Sequence, residues 1–129
     1  MSTPIRITAG KVVVEAELND NPCARKIAQA LPIKGKGQRW GLEIYFSIPV
    51  EAEEEPDARE VVALGELGYW PPGNAFCMFF GQTPASSPDE IRAASPVNII
   101  GKMKGDLKAL ADVPSGAAVL VERVDKDKT

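Results

Sequence analysis

The sequence predicts a mostly β fold, a closed antiparallel barrel of about seven or eight short strands capped by one good helix and one short helix. Three observations carry this reading. Apolar and polar residues alternate with the period of a strand in several segments, most clearly from Arg39 to Ile48. A long helical spacing of apolar residues occurs once, between Asn21 and Leu31. No internal repeat and no strand–helix–strand alternation is present, so closing an antiparallel sheet is the simplest way to remove its exposed edges.

Each element has its own signal. Ile5 and Ile7 alternate with polar neighbours, Ala9-Gly10 offers a turn, and Val12, Val14, Ala16 and Leu18 alternate with Glu15 and Glu17, which predicts a half-buried hairpin. Asn21 is placed to cap a helix with Pro22 at its first position and Ala24, Ile27, Ala28 and Leu31 along one face; Pro32 stops it. Lys34-Gly35-Lys36-Gly37 reads as a basic connection. Trp40, Leu42, Ile44, Phe46 and Ile48 then alternate with Arg39, Gly41, Glu43, Tyr45 and Ser47, the cleanest strand pattern in the chain. The acidic run Glu51 to Asp57 reads as a solvated loop or a ragged strand edge, and Val61, Val62 and Leu64 resume the sheet.

Gly65-Glu66 turns the chain into Leu67 to Trp70, and Pro71-Pro72-Gly73-Asn74 supplies a stiffer turn. Ala75 to Phe80 is an unbroken apolar run, as expected of a strand covered on both faces. Gly81 to Pro96 reads as a long loop, Val97 to Met103 as a strand, Asp106 as the cap of a short helix, and Ala117 to Val124 as the last strand. Asp125 to Thr129 reads as a frayed tail.

Length and charge bound the function. The 129 residues suit a single domain, 1–129, able to bury about two-thirds of its unfolded surface. A net charge of -3 argues against a phosphate-backbone partner, so no nucleic acid is expected. No apolar run approaches a signal peptide or membrane span, so a cytoplasmic location with no membrane partner is the expectation. With two cysteines and no histidine, Ser-His and Cys-His catalytic pairs and the usual zinc sites are excluded; neither metal nor cofactor is expected.

Three segments carry a resemblance: Arg39-Trp40-Gly41-Leu42-Glu43-Ile44-Tyr45-Phe46; Gly68-Tyr69-Trp70-Pro71-Pro72-Gly73-Asn74-Ala75-Phe76 with Gly81-Gln82-Thr83-Pro84; and Ala94-Ser95-Pro96-Val97-Asn98-Ile99-Ile100-Gly101. Together they resemble the small cyclophilin-like proteins of bacteria and archaea, a family of unknown function, over Ile5 to about Asp106. The resemblance implies an eight-stranded cyclophilin-like barrel. It does not imply isomerase activity, because true cyclophilins carry an Arg in a Phe-His-Arg segment, a Phe-Met-x-Gln segment, and a later Trp and His. Here no Arg follows Tyr69-Trp70, and Phe79 stands where a Gln is expected.

The candidate site comes from the same patterns. Trp40 and Phe46 share a face with Leu42 and Ile44 and read as core. Tyr45 alternates onto the face of Arg39 and Glu43, and Tyr69-Trp70 abuts a turn at a strand end, which makes these three rings candidates for a binding surface. Phe76, Met78 and Phe80 point one way and Ala75, Cys77 and Phe79 the other. One set is core; the other meets a helix or floors an apolar pocket. Cys77 and Cys23 read as inert packing. Asn98, a polar interruption of an apolar strand, bonds a neighbouring loop or recognises a ligand.

The leading expectation is a binding module whose patch comprises Tyr45, Tyr69, Trp70, Phe76 and Phe79, rimmed by Arg39 and Asn98. It would take an extended peptide or a small apolar molecule with one anionic group. The alternatives are a peptidyl-prolyl isomerase with a rebuilt site, in which Arg39 polarises the amide, and a protein interface such as a homodimer. No catalytic residue is assigned.

Overall fold

The computed structural model describes residues 2–124; the tail expected to fray lies outside them. Thr3–Ala9 (β1) and Val12–Leu18 (β2) pair antiparallel from Thr3 with Leu18 to Ala9 with Val12, as the alternation predicts. Their inward residues, Ile5, Ile7, Ala9, Val14, Ala16 and Leu18, are all buried. Pro22–Ala30 (α1) begins where Asn21 Oδ1 accepts from the Ala24 amide at 2.8 Å and ends at Leu31, whose extended backbone leads into Pro32. Cys23, Ala24 and Ile27 pack inward from it.

The remaining strands are Ile33–Lys36 (β3), Gln38–Arg39 (β4), Glu43–Ser47 (β5), Arg59–Val62 (β6), Glu66–Trp70 (β7), Ala75–Phe79 (β8), Ile91–Met103 (β9) and Ala118–Arg123 (β10). The sheet order is β3-β10-β1-β2-β9-β7-β8-β5-β4, with β6 attached to β9. This corrects the closed eight-stranded barrel: the chain is mostly β, but the described residues form ten strands in a sheet that does not close. The reason lies in the basic segment read as a connection. β3 and β4 are successive pieces of one stretch separated by Gly37, so they cannot pair side by side; β3 takes β10 and β4 takes β5.

Two further expectations change. Asp106 Oδ1 does accept from the Lys108 amide at 2.9 Å, but Lys108–Asp112 then forms a 3₁₀ turn rather than a short α-helix. A second 3₁₀ turn, Pro71–Gly73, forms the proline turn. The loop from Gly81 ends earlier than expected, because β9 starts at Ile91. Its first half pairs with β6, Val62 opposite Ile91 and Arg59 opposite Val97, and its second half pairs with β7 and β2. Pro96 falls inside the register shift of the β6–β9 pairing, between Arg92 and Val97, a place where a missing N–H is tolerated.

Two apolar clusters result. The larger joins Ile5, Ile7, Leu18, Ile27, Ile44, Phe46, Leu67, Phe76, Met78 and Val121 on the inner face of the curled sheet. The smaller lies on the opposite face of β8: Ala75, Cys77 and Phe79 meet Val62 from β6 and Ala93 and Val97 from β9. The doubly apolar strand is therefore covered on its second side by the β6–β9 ribbon, not by α1. Among the described residues, no helix is long and apolar enough to cross a membrane.

Candidate functional site

The site is set by a turn the alternation pattern concealed. Trp40 donates its N–H to the Glu43 carbonyl at 3.0 Å and accepts from the Glu43 N–H at 3.2 Å, so Gly41-Leu42 is a two-residue hairpin loop between β4 and β5. Gly41 has φ +62, open to glycine at little cost. A Cβ there would stand 2.9 Å from Gln82 O and from Pro84 Cδ. Directly paired residues of an antiparallel ladder share a face, so the hairpin puts Trp40 beside Glu43, and Arg39, which pairs with Ile44, on the other side.

On the Trp40–Glu43 face, β8 and β7 continue the sheet. Glu43 pairs with Phe79, Tyr45 with Cys77, and Cys77 with Gly68. Gly68 leaves the room the ribbon needs, since a Cβ on it would lie 2.9 Å from Val97 Cγ2 and 3.2 Å from Phe79 Cε2. Between this face and the first half of β9 is a cavity of about 260 Å³, lined by Trp40, Glu43, Tyr45, Trp70 and Cys77 and closed by Ala93, Ala94 and Val97. Trp70 is fixed at its edge by a bond from its indole N–H to Ser95 Oγ at 2.6 Å.

Glu43 is the unusual member. It is 5% exposed, and burial pushes its carboxyl up to about 7, an effect only partly offset by the Cys77 thiol. Cys77 is pushed well above the usual thiol range, first by its own burial and then by the adjacent Glu43. It is therefore a neutral thiol, whose Sγ donates to the Ala75 carbonyl at 3.8 Å. Among the described residues no Lys or Arg lines the cavity.

The sequence candidates separate into those that meet here and those that do not. Tyr45 and Trp70 line the cavity, and Phe79, fully buried, packs in the cluster beside it. Tyr69 and Phe76 face the inner core instead; the Tyr69 hydroxyl donates to the Val50 carbonyl at 2.7 Å and accepts from the Ala52 amide at 3.2 Å. Asn98 is fully buried and holds the acidic loop, its Oδ1 accepting from the Glu55 amide at 2.8 Å and its Nδ2 donating to the Glu53 carbonyl at 2.9 Å.

Arg39 is committed elsewhere. Its guanidinium donates to the carbonyls of Ala111 (3.1 Å), Val113 (2.7 Å) and Gly41 (2.9 Å) and lies 5.4 Å from the centre of the Phe80 ring. It clamps the Lys108–Asp112 turn to the β4–β5 hairpin. Trp40, Glu43 and Cys77 are the residues sequence reasoning missed as a site. The signal was present in Trp40-Gly41-Leu42-Glu43, where an alternating run holds a glycine able to turn it.

A second groove, about 590 Å³, is bordered by Leu42, Leu64, Phe80 and Leu107 and contains none of the sequence candidates. Leu64 is 59% exposed there. Among the described residues no group of three or more His, Cys, Asp or Glu side chains is gathered to hold a metal ion.

Comparison with known proteins adds the lineage. The sequence model of the family described as Cyclophilin-like matches residues 3–122. Among solved structures, the chain is similar to a hypothetical protein from Archaeoglobus fulgidus determined in solution, with 42% identity, 95% of each chain covered and a TM-score of 0.80. No curated protein matches the chain.

Proposed function

This chain belongs to the cyclophilin-like family, and we propose that it is a binding module for a small, largely apolar molecule held between the sheet and the β6–β9 ribbon. The observation that carries this reading is the cavity itself. Its wall gathers both tryptophans of the chain and one of its two tyrosines around a single acid. Apolar walls with few polar groups are the usual composition of a small-molecule site, and the volume falls near the small end of such sites, roughly 300 Å³. That size favours a compact molecule over an extended peptide.

The geometry also shifts the expected chemistry of the ligand. The anionic group anticipated from the sequence depended on Arg39, and Arg39 is tied to three backbone carbonyls on the other face. The isomerase reading depended on the same guanidinium and draws no support from the cavity wall. Because both tryptophans border the cavity, titration of small molecules followed by tryptophan fluorescence tests the proposal. Saturable quenching by a compact apolar compound, lost in Trp70→Ala, is expected; a flat response across a broad panel overturns it.

A further inference from the structure

Resting on that reading, we infer that the molecule the cavity takes is a small organic cation, an alkylated ammonium whose charge faces Glu43 and whose alkyl groups lie against Trp40, Tyr45 and Trp70.

Charge points there first. Glu43 is the one lining residue with an ordinarily ionised acid, and among the described residues it is buried without a cation. The arginines near the site in sequence are engaged: Arg39 with carbonyls, Arg59 with Glu66 at 2.9 Å, and Arg92 with Glu60 and Glu90, each at 2.7 Å. A carboxylate withdrawn from water without a counter-charge is costly, and its carboxyl accordingly holds its proton to a higher pH. A bound cation supplies the missing charge, and it does so where water no longer screens the pair.

The wall points the same way. Three aromatic side chains line one cavity of about 260 Å³. Ring faces attract cations through their quadrupoles, most strongly when the cation is desolvated, and clustered rings are how proteins hold quaternary ammonium groups. The wall has few acceptors to replace the water lost by a primary ammonium. Among the lining side chains only the Glu43 carboxyl and the Tyr45 hydroxyl are good acceptors, since an indole N–H only donates and a thiol sulfur accepts weakly. An alkylated ammonium, weakly hydrated and with few or no N–H groups to satisfy, fits such a lining better. The aliphatic side made by Ala93, Ala94 and Val97 takes the uncharged remainder.

The test compares choline with dimethylbutanol, its uncharged carbon isostere, and with dimethylbutanoate, by calorimetry and tryptophan fluorescence on the intact protein at pH 8. Choline is expected to bind at least about tenfold more tightly than the isostere, with the anion weakest. Glu43→Gln is expected to remove most of that preference. Because the isostere comparison is made on the unaltered chain, it stands whatever the variant does. Equal binding of choline and dimethylbutanol, or tighter binding of the anion, overturns the cation assignment while leaving the small-molecule site intact. Absence of binding by all three, together with a flat response to the wider panel, overturns both.

Discussion

Trp40 and Glu43 are hydrogen-bonded to each other through both backbone groups, at 3.0 and 3.2 Å, across the two residues Gly41 and Leu42. The Trp40–Glu43 corner of the cavity depends on that pairing, because it brings an aromatic ring and an acid to the same face at one end of β5.

The pairing rests on Gly41, so Gly41→Ala is expected to be costly. Its φ of +62 is unfavourable for an L side chain, and the added methyl would press on Gln82 O and Pro84 Cδ at 2.9 Å and on Thr83 Cα at 3.0 Å. Backbone strain alone is worth about 1–2 kcal/mol, and the clash adds to it. Urea denaturation should show a loss of about 2 kcal/mol or more.

Glu43 makes a prediction about pH. Its carboxyl titrates at about 7 in the folded chain against an ordinary value of 4.5, so between these two the folded state holds a proton that the unfolded state has released. Stability must therefore fall as pH rises from about 4.5 to about 7 and stay at the lower level above that, a change on the order of 3 kcal/mol from this group. The other titratable groups lining the cavity are Tyr45 from β5 and Cys77 from β8; β7 and β9 contribute Trp70, Ala93, Ala94 and Val97. Cys77 is held neutral throughout this window. Thermal melts of Glu43→Gln against the unaltered chain should converge at low pH and separate above neutrality, with the variant the more stable.

What the sequence disclosed and what it hid have physical causes. The β1–β2 hairpin, the start of α1 at Asn21-Pro22 and the two-faced strand Ala75–Phe79 were legible because each depends on local periodicity or capping alone. The turn at Gly41 was not, since Arg39 to Ile48 keeps a strand-like alternation straight through it. One concealed glycine moved Arg39 to the face opposite Tyr45 and brought Trp40 out of the expected core into the cavity wall. The ribbon that completes the cavity was hidden for a different reason. Ile91 to Val97 gains its strand conformation from pairing with β6, a long-range partner that a polar segment such as Ile91-Arg92-Ala93-Ala94-Ser95 does not announce.

Arg39 should behave as a structural clamp. Arg39→Ala removes the charge-assisted bonds to Ala111, Val113 and Gly41 and the cation over Phe80. A loss of about 1–2 kcal/mol in chemical denaturation is expected. Affinity for a cavity ligand should be unchanged in the same variant, because its side chain is on the far side of the hairpin. A variant that loses binding while keeping its stability would return Arg39 to the site.

The most direct test of the cavity as the binding site is to locate bound ligand by amide chemical-shift mapping, with choline and dimethylbutanol titrated into labelled protein. The perturbed amides are expected to be those of Trp40, Glu43, Tyr45, Cys77, Ala93, Ala94 and Val97, around the cavity behind the β6–β9 ribbon. Perturbations gathered instead at Leu42, Leu64 and Leu107, along the second groove, would contradict it.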